Sequence, residues 1–410
     1  MAMPVLIING QNADIYRGGG GGKYAAELYQ RLASNLMSCD LPECKIEFIN
    51  FSTNECQVEN TARTTRTPLT PVKEYAKRCL PSHTFETLCR VYEAFFWKME
   101  EQKTANTVPL SRDHGNRIVL HELTSYTSCG ELARICLSPN NRLLVSFLDV
   151  QDYYYPENFT DESLTLRRLH YSFYKDRGDL FIAISEFTKQ TMIEKLGIDG
   201  SKIIVTHLAA DDCQKVRPSL DAVEWAQAFG RFLIYPAKAW PHKNHAFLFR
   251  TMSHRRDKLR KAGIQLLLTG GFYPVDEQLL GELIKQNDIQ DLVQVLGFLT
   301  NDQLNALLSK AEYLIFPSLF EGFGMPVLEA MSLGCPVMSS TSASLPEVGG
   351  DAAIYFDPAN EESLISLLDD MTNGNIDRQS YIEKGFMNCN RFSWETTYRK
   401  TIMAYRELLL

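Results

Sequence analysis

Phe316 to Glu329 reads FPSLFEGFGMPVLE, and AMSLGCPVMSSTSASLPEVGG continues it to Gly350. An apolar strand ending at Ser318, a glycine-bearing loop and a helix from about Pro326 form one strand–loop–helix unit. Proline suits the first helical position because the N–H it lacks has no partner there. The amides of Gly324, Met325 and Val327 are expected to face an anion, helped by the positive end of the helix dipole. Glu321 falls in the loop, and Glu329 in the first turns of the helix eight residues later. A carboxylate can accept hydrogen bonds from two adjacent hydroxyls, as a ribose or a hexose edge offers. The plainer alternatives are a helix-dipole partner for Glu329 and an exposed loop acid for Glu321.

The same rhythm runs outward in both directions. Short apolar runs alternate with helical patterns, the signature of parallel sheets covered by helices, so the fold class is α/β. Strands are expected at 4–9, 45–51, 117–121, 142–149, 179–185 and 202–208, then at 232–236, 264–270, 292–298, 313–318, 336–340 and 352–357, with a helix over 303–311. Asp211 to Ala222, a polar stretch with one proline, reads as the link between two similar halves. The division expected is 1–212 and 213–392, both Rossmann-like. A terminal helix, 393–410, would place Trp394, Tyr398, Ile402, Tyr405 and Leu408 on one face and pack back toward the first half. Two such domains facing each other would set their strand ends on a shared cleft, where α/β proteins bind ligands.

With 42 Lys and Arg against 50 Asp and Glu the net charge is −8, which weighs against a general nucleic-acid binder. Ten cysteines without a CxxC pair fit free thiols in a reducing compartment. MAMPVLIING lacks a signal-peptide pattern, and no run reaches the roughly 18 apolar residues of a membrane span. A cytoplasmic location is expected, with peripheral contact at the inner face of a membrane left open. Residues 61–116 interrupt the rhythm and start basic. From Phe85, apolar positions through Met99 recur at helical spacing, either packed on their own domain or facing a membrane or acceptor.

RGGGGGKY at Arg17 to Tyr24 fails both familiar phosphate-loop patterns. A Walker loop needs glycine where Arg17 stands and Ser or Thr where Tyr24 stands, and a GxGxxG from Gly18 ends on Lys23. What remains is a loop without side chains, running into a helix over 24–35, that lets a ligand approach the backbone or else is a plain turn.

FEGFGMPVLEA with Glu321-x7-Glu329, followed by Ser344-Leu-Pro-Glu347-Val, closely resembles the retaining GT-B glycosyltransferases of family four, also called group 1 glycosyl transferases. Further matches lie along nearly the whole chain: the glycine loop before Lys23, QDYYYPENF (151–159), ISEFTK (184–189), YPAKAWPHKNH (235–245) and FSWE. The resemblance implies two facing Rossmann-like domains (the GT-B fold) with a cleft between them. It implies transfer of a sugar, with retention, from a nucleotide diphosphate sugar to a hydroxyl of a glycan or lipid-linked glycan, without metal or other cofactor and without nucleic acid. No Asp-x-Asp occurs in the sequence. By the same resemblance Glu329 holds the ribose, Glu321 the donor sugar near the reacting face, and Lys243 the diphosphate. Asp149 positions and stabilises, Phe298 and Leu299 border the base, and Gly20, Gly21 and Gly22 let diphosphate and acceptor approach.

Two departures stand out. Where relatives carry an arginine six residues before the diphosphate lysine, this chain has Ala237; Lys238 next to it can supply charge but no bidentate fork, or else faces solvent. Where relatives have His-Asp, it has Leu148-Asp149. By the resemblance that histidine contacts the donor sugar near its 6-hydroxyl, so leucine there would select a donor lacking one, such as a 6-deoxyhexose or a pentose, unless a neighbour such as His121 takes over. These losses also admit a catalytically weakened GT-B protein that binds sugar nucleotides or glycans. An epimerase or phosphorylase of the same architecture fits the motifs less well.

Overall fold

The computed structural model describes residues 5–9, 20–35, 41, 44–49, 117–123, 139–210, 217–271 and 274–410. The insertion at 61–116, the start of the glycine run (Gly18 and Gly19) and residues 211–216 of the expected link lie outside them. All twelve expected strands are present, each within a few residues of its expected ends.

In chain order the first elements are β1 (Val5–Asn9), α1 (Gly20–Asn35), β2 (Lys45–Ile49), β3 (Ile118–Glu122), β4 (Arg142–Phe147), α2 (Asp161–Arg177), β5 (Leu180–Ala183), α3 (Glu186–Thr191) and β6 (Ile203–Val205). Their strands form a sheet of order β2-β1-β3-β4-β5-β6. Then come α4 (Leu220–Gln227), β7 (Arg231–Pro236), α5 (His245–His254), α6 (Arg256–Ala262), β8 (Ile264–Thr269), α7 (Pro274–Gln286) and β9 (Val293–Gly297). The chain continues through α8 (Asn301–Lys310), β10 (Tyr313–Phe316), α9 (Met325–Ser332), β11 (Val337–Ser340), α10 (Leu345–Gly349) and β12 (Ala353–Phe356), and ends with α11 (Glu361–Asn373), α12 (Arg378–Cys389) and α13 (Trp394–Leu409). The second sheet has the order β12-β11-β10-β7-β8-β9, and its strands pair in parallel. β10 (YLIF) and β11 (VMSS) are buried along their whole length, as strands covered on both faces should be. Local chemistry agrees with the element ends: Thr300 and Gln303 cap α8 reciprocally, and Ser219, Asn360 and Asp377 cap α4, α11 and α12.

By internal packing the chain divides into two compact units. One comprises Met1–Ser146, Asp161–Phe181 and Ile402–Leu410, and the other Phe147–Thr160 and Ile182–Thr401. By packing, residues 182–210 group with the unit that holds the second sheet rather than dividing at 212/213, although β5 and β6 pair within the first sheet. Within that unit the reason is a set of specific bonds. Ser185 Oγ and Thr188 Oγ1 donate to the Gly322 carbonyl at 2.7 and 3.2 Å, and Lys400 Nζ donates to the Val205 carbonyl at 2.8 Å. The Glu347 carboxylate accepts from the Glu186 and Phe187 amides at 2.8 and 3.1 Å and pairs with His207 Nε2 at 2.6 Å. Burial alone would raise the Glu347 pKa, but His207 and the two amides hold it below the ordinary carboxylate value.

Trp394, Tyr398, Ile402, Tyr405 and Leu408 of α13 are all buried. No helix among the described residues is long and apolar enough to cross a membrane.

Candidate active site

Read from its first strand, the second sheet has the doubly wound order 3-2-1-4-5-6, so the chain changes direction between β7 and β10. Such a switch point leaves a crevice at the strand C-termini. The loops that leave β7 and β10 there are 237–244, with PHKN, and 317–324, with the FEGFG core of the stretch that opened the sequence analysis.

Lys243 Nζ and Glu321 Oε1 meet at 2.5 Å, with only 16% and 13% of their side chains exposed. Ser318 Oγ donates to the same carboxylate oxygen at 2.6 Å, and Ser344 Oγ to the Glu321 carbonyl at 2.9 Å. Three backbone devices fix this geometry. Asn244 takes the left-handed conformation (φ 59°), which Asn tolerates better than most residues, and its amide reaches the Pro317 carbonyl at 3.3 Å. The Leu319 amide donates to the His242 carbonyl at 2.7 Å, so the two loops are stitched together. Tyr235, fully buried at the end of β7, donates its hydroxyl to the Lys243 carbonyl at 2.6 Å. Burial pushes that phenol well above its usual pKa.

Two glycines admit the close approaches. A Cβ on Gly322 would sit 1.9 Å from the Leu148 carbonyl oxygen, so the 148–149 segment lies directly on the Glu321 loop. Gly324 (φ 96°) precedes α9, which starts at Met325, one residue earlier than expected. The Val327 amide closes the first turn onto the Gly324 carbonyl at 3.0 Å. This corrects the expectation that it faces an anion, and leaves the amides of Gly324 and Met325 for that role. Glu329 is half-buried in the second turn of α9.

Asp149 is half-buried and accepts from the Gln151 amide at 3.1 Å. Leu148 is half-buried as well. Lys238 lies over the half-exposed Trp240 ring, 5.1 Å from its centroid. Phe298 is 71% exposed and Leu299 half-buried, just beyond β9, which ends at Gly297. The Gly270 amide donates to the Gly297 carbonyl and the Ala237 amide to the Thr269 carbonyl, both at 2.9 Å, which sets the loops after β7, β8 and β9 side by side.

In the other unit Gly20, Gly21 and Gly22 form the first turn of α1 rather than a loop before it. His121 is fully buried there, with Nδ1 2.7 Å from Tyr405 Oη and Nε2 2.8 Å from Ser146 Oγ. Burial pushes its pKa down to about 3. Both ring nitrogens serve the core, so His121 cannot take over a sugar contact, and that expectation is corrected.

Sequence reasoning missed Ser318, Tyr235 and Asn244, whose roles depend on backbone conformation. The motif gives Glu347 no role by itself; the Pro-Glu at a helix start, whose carboxylate needs a partner, is the signal for one.

Residues 227–387 match the family model "Glycosyl transferases group 1". The O-antigen chain mannosyltransferase B of Escherichia coli is 26% identical over 65% of this chain and 71% of its own length. The N-acetylgalactosamine-N,N'-diacetylbacillosaminyl-diphospho-undecaprenol 4-alpha-N-acetylgalactosaminyltransferase of Campylobacter jejuni is 23% identical over 89% of this chain and 87% of its own length. The chain spans 29% of a serotype-specific mannosyltransferase WbdA of Escherichia coli that it also matches. The structure of sucrose-phosphate synthase from Thermosynechococcus elongatus superposes with a TM-score of 0.69 over 99% of both chains at 16% identity, a likeness of fold. The switch-point site falls inside the segment, residues 227–387, that matches the group 1 glycosyl transferases, and the fold is that of the GT-B glycosyltransferases.

Proposed function

We propose that the enzyme transfers a sugar from a nucleotide diphosphate sugar to an acceptor hydroxyl, with retention at the anomeric carbon, in the assembly of a surface polysaccharide or related glycan. The observation that carries this is the Lys243–Glu321–Ser318 cluster at the strand crossing, beside the α9 N-terminus. In this reading the diphosphate takes Lys243 and the Gly324 and Met325 amides, so the developing negative charge meets a cation and a helix N-terminus, with no resident metal assigned. Glu321, relieved of Lys243 and still held by Ser318, receives hydroxyls of the donor sugar. Glu329 accepts the ribose hydroxyls, and Phe298 and Leu299 flank the base. Asp149, held against the same loop through Gly322, steadies charge at the reacting face. The acceptor oxygen attacks from the face the diphosphate leaves, and the departing phosphate oxygen takes its proton.

The Campylobacter jejuni relative's name, with its diphospho-undecaprenol substrate, supports a lipid-linked acceptor and peripheral membrane contact for this chain too. Leu148 supports a donor without a 6-hydroxyl, whereas the mannosyltransferase relative favours a hexose. Incubation with hexose and 6-deoxyhexose donors separates the two, and NMR of the purified product gives its anomeric configuration. Retention is expected; an inverted product would refute the mechanism.

A further inference from the structure

The turn that carries Lys243 also carries His242. Only 6% of His242 is exposed. Its ring packs on Trp240 at 5.6 Å between centroids, its carbonyl is held by the Leu319 amide of the Glu321 loop, and its neighbour is the cation paired with Glu321. Among the described residues no group hydrogen-bonds either ring nitrogen, and neither nitrogen is sealed from solvent. The other imidazoles of this unit differ: His207 pairs with Glu347, His254 with Glu361, and His245 packs against Tyr235 with its Nε2 sealed in. A nearly buried ring that keeps unspent but reachable nitrogens, fixed by an aromatic wall and a backbone bond, is preorganised for a ligand hydroxyl.

We propose that His242 is a specificity-determining residue of the transfer, exchanging a hydrogen bond with a hydroxyl of the donor sugar. This rests on the sugar-nucleotide reading of the site. Burial first, then the Lys243 charge, push the imidazole down to about 3, with Asp149 opposing. The ring is therefore neutral at working pH, one nitrogen donating and the other accepting, and suits a hydroxyl rather than a second phosphate contact. Trp240 holds the ring in place, and Lys238 lies over the same Trp240 ring.

The test is calorimetric binding of wild type, His242→Leu and His242→Gln to ADP, GDP, UDP and dTDP and to their hexose and 6-deoxyhexose conjugates. The quantity read is the sugar increment, the ratio of Kd for a diphosphate to Kd for its conjugate. The His242→Leu variant should lose about 10-fold of that increment while the diphosphate Kd stays within about threefold. The Gln variant, neutral and polar, should recover most of it and guards against a folding defect. An unchanged increment in His242→Leu, or an equal loss for diphosphate and conjugate, overturns the assignment. Failure of the wild-type chain to bind any of these ligands overturns the sugar-nucleotide reading itself, and the assignment with it.

Discussion

Replacing Gly322 by alanine probes the site through one methyl group. The new Cβ would lie 1.9 Å from the Leu148 carbonyl oxygen and 3.1 Å from the Asp149 Cβ, where 3.0 Å is the shortest separation real Cβ atoms show. Both neighbours are backbone or next to it, so no flexible side-chain end can yield. Either the 148–149 segment or the Glu321 loop must give by about 1 Å, and a 1 Å misplacement of catalytic groups costs on the order of 10²-fold in rate. The Gly322→Ala variant should therefore lose about 10²-fold in kcat/KM, or roughly 2.7 kcal/mol of transition-state stabilisation. Steady-state transfer with donor and acceptor varied, alongside thermal unfolding, measures this. Gly281→Ala is the control: Gly281 lies in α7 with open space around its Cβ position, and alanine there should leave activity unchanged and stabilise by up to about 1 kcal/mol. A Gly322→Ala enzyme within about threefold of wild type would refute the claim that the 148–149 segment and the Glu321 loop act as one unit.

Further outcomes follow from the same geometry. Glu321→Gln should lower kcat by 10²-fold or more with little change in nucleotide Kd, whereas Glu329→Ala should raise that Kd first; matching losses in both parameters for both variants would contradict the division of roles. Lys243→Gln should depress kcat/KM by about 10²-fold or more and weaken diphosphate binding, because it removes the cation opposite the leaving group; binding at wild-type strength by titration would refute this. His121 and His245 are each held near a pKa of about 3 against 6.5 for the free side chain. Between those values the unfolded chain takes up protons the native state refuses, so stability is full above about pH 6.5 and declines as pH falls toward 3. Urea midpoints should drop across that window and drop less in His121→Phe, which at neutral pH should cost about 1–3 kcal/mol for the two lost hydrogen bonds to Ser146 and Tyr405. A midpoint independent of pH over that range would contradict the assignment.

The strands were legible because parallel sheets write themselves as short apolar runs, and β10 (YLIF) is such a run, followed by Pro317, while β11 (VMSS) follows Gly334 and Pro336. Glu321 and Lys243, 78 residues apart in sequence, were legible through the motifs that carry them; their contact follows from the strand order. Three matters were not. The turn closure that spends the Val327 amide depends on a one-residue shift in the start of α9. The commitment of His121 to the core depends on Tyr405 and Ser146, distant partners that a strand-end position does not announce. The packing division follows bonds such as Glu347 to the α3 amides, which join residues 160 apart and leave no local signature.

Thermal unfolding against nucleoside diphosphates and their sugar conjugates, run on wild type and Lys243→Gln in parallel, tests the central claim most directly. A ligand at 100 times its Kd stabilises the native chain by about 2.7 kcal/mol. One base should shift the wild-type transition, its sugar conjugate should shift it further, and both shifts should shrink sharply in the variant. Silence across the panel, or equal shifts in wild type and variant, would contradict a donor site built on Lys243 and Glu321.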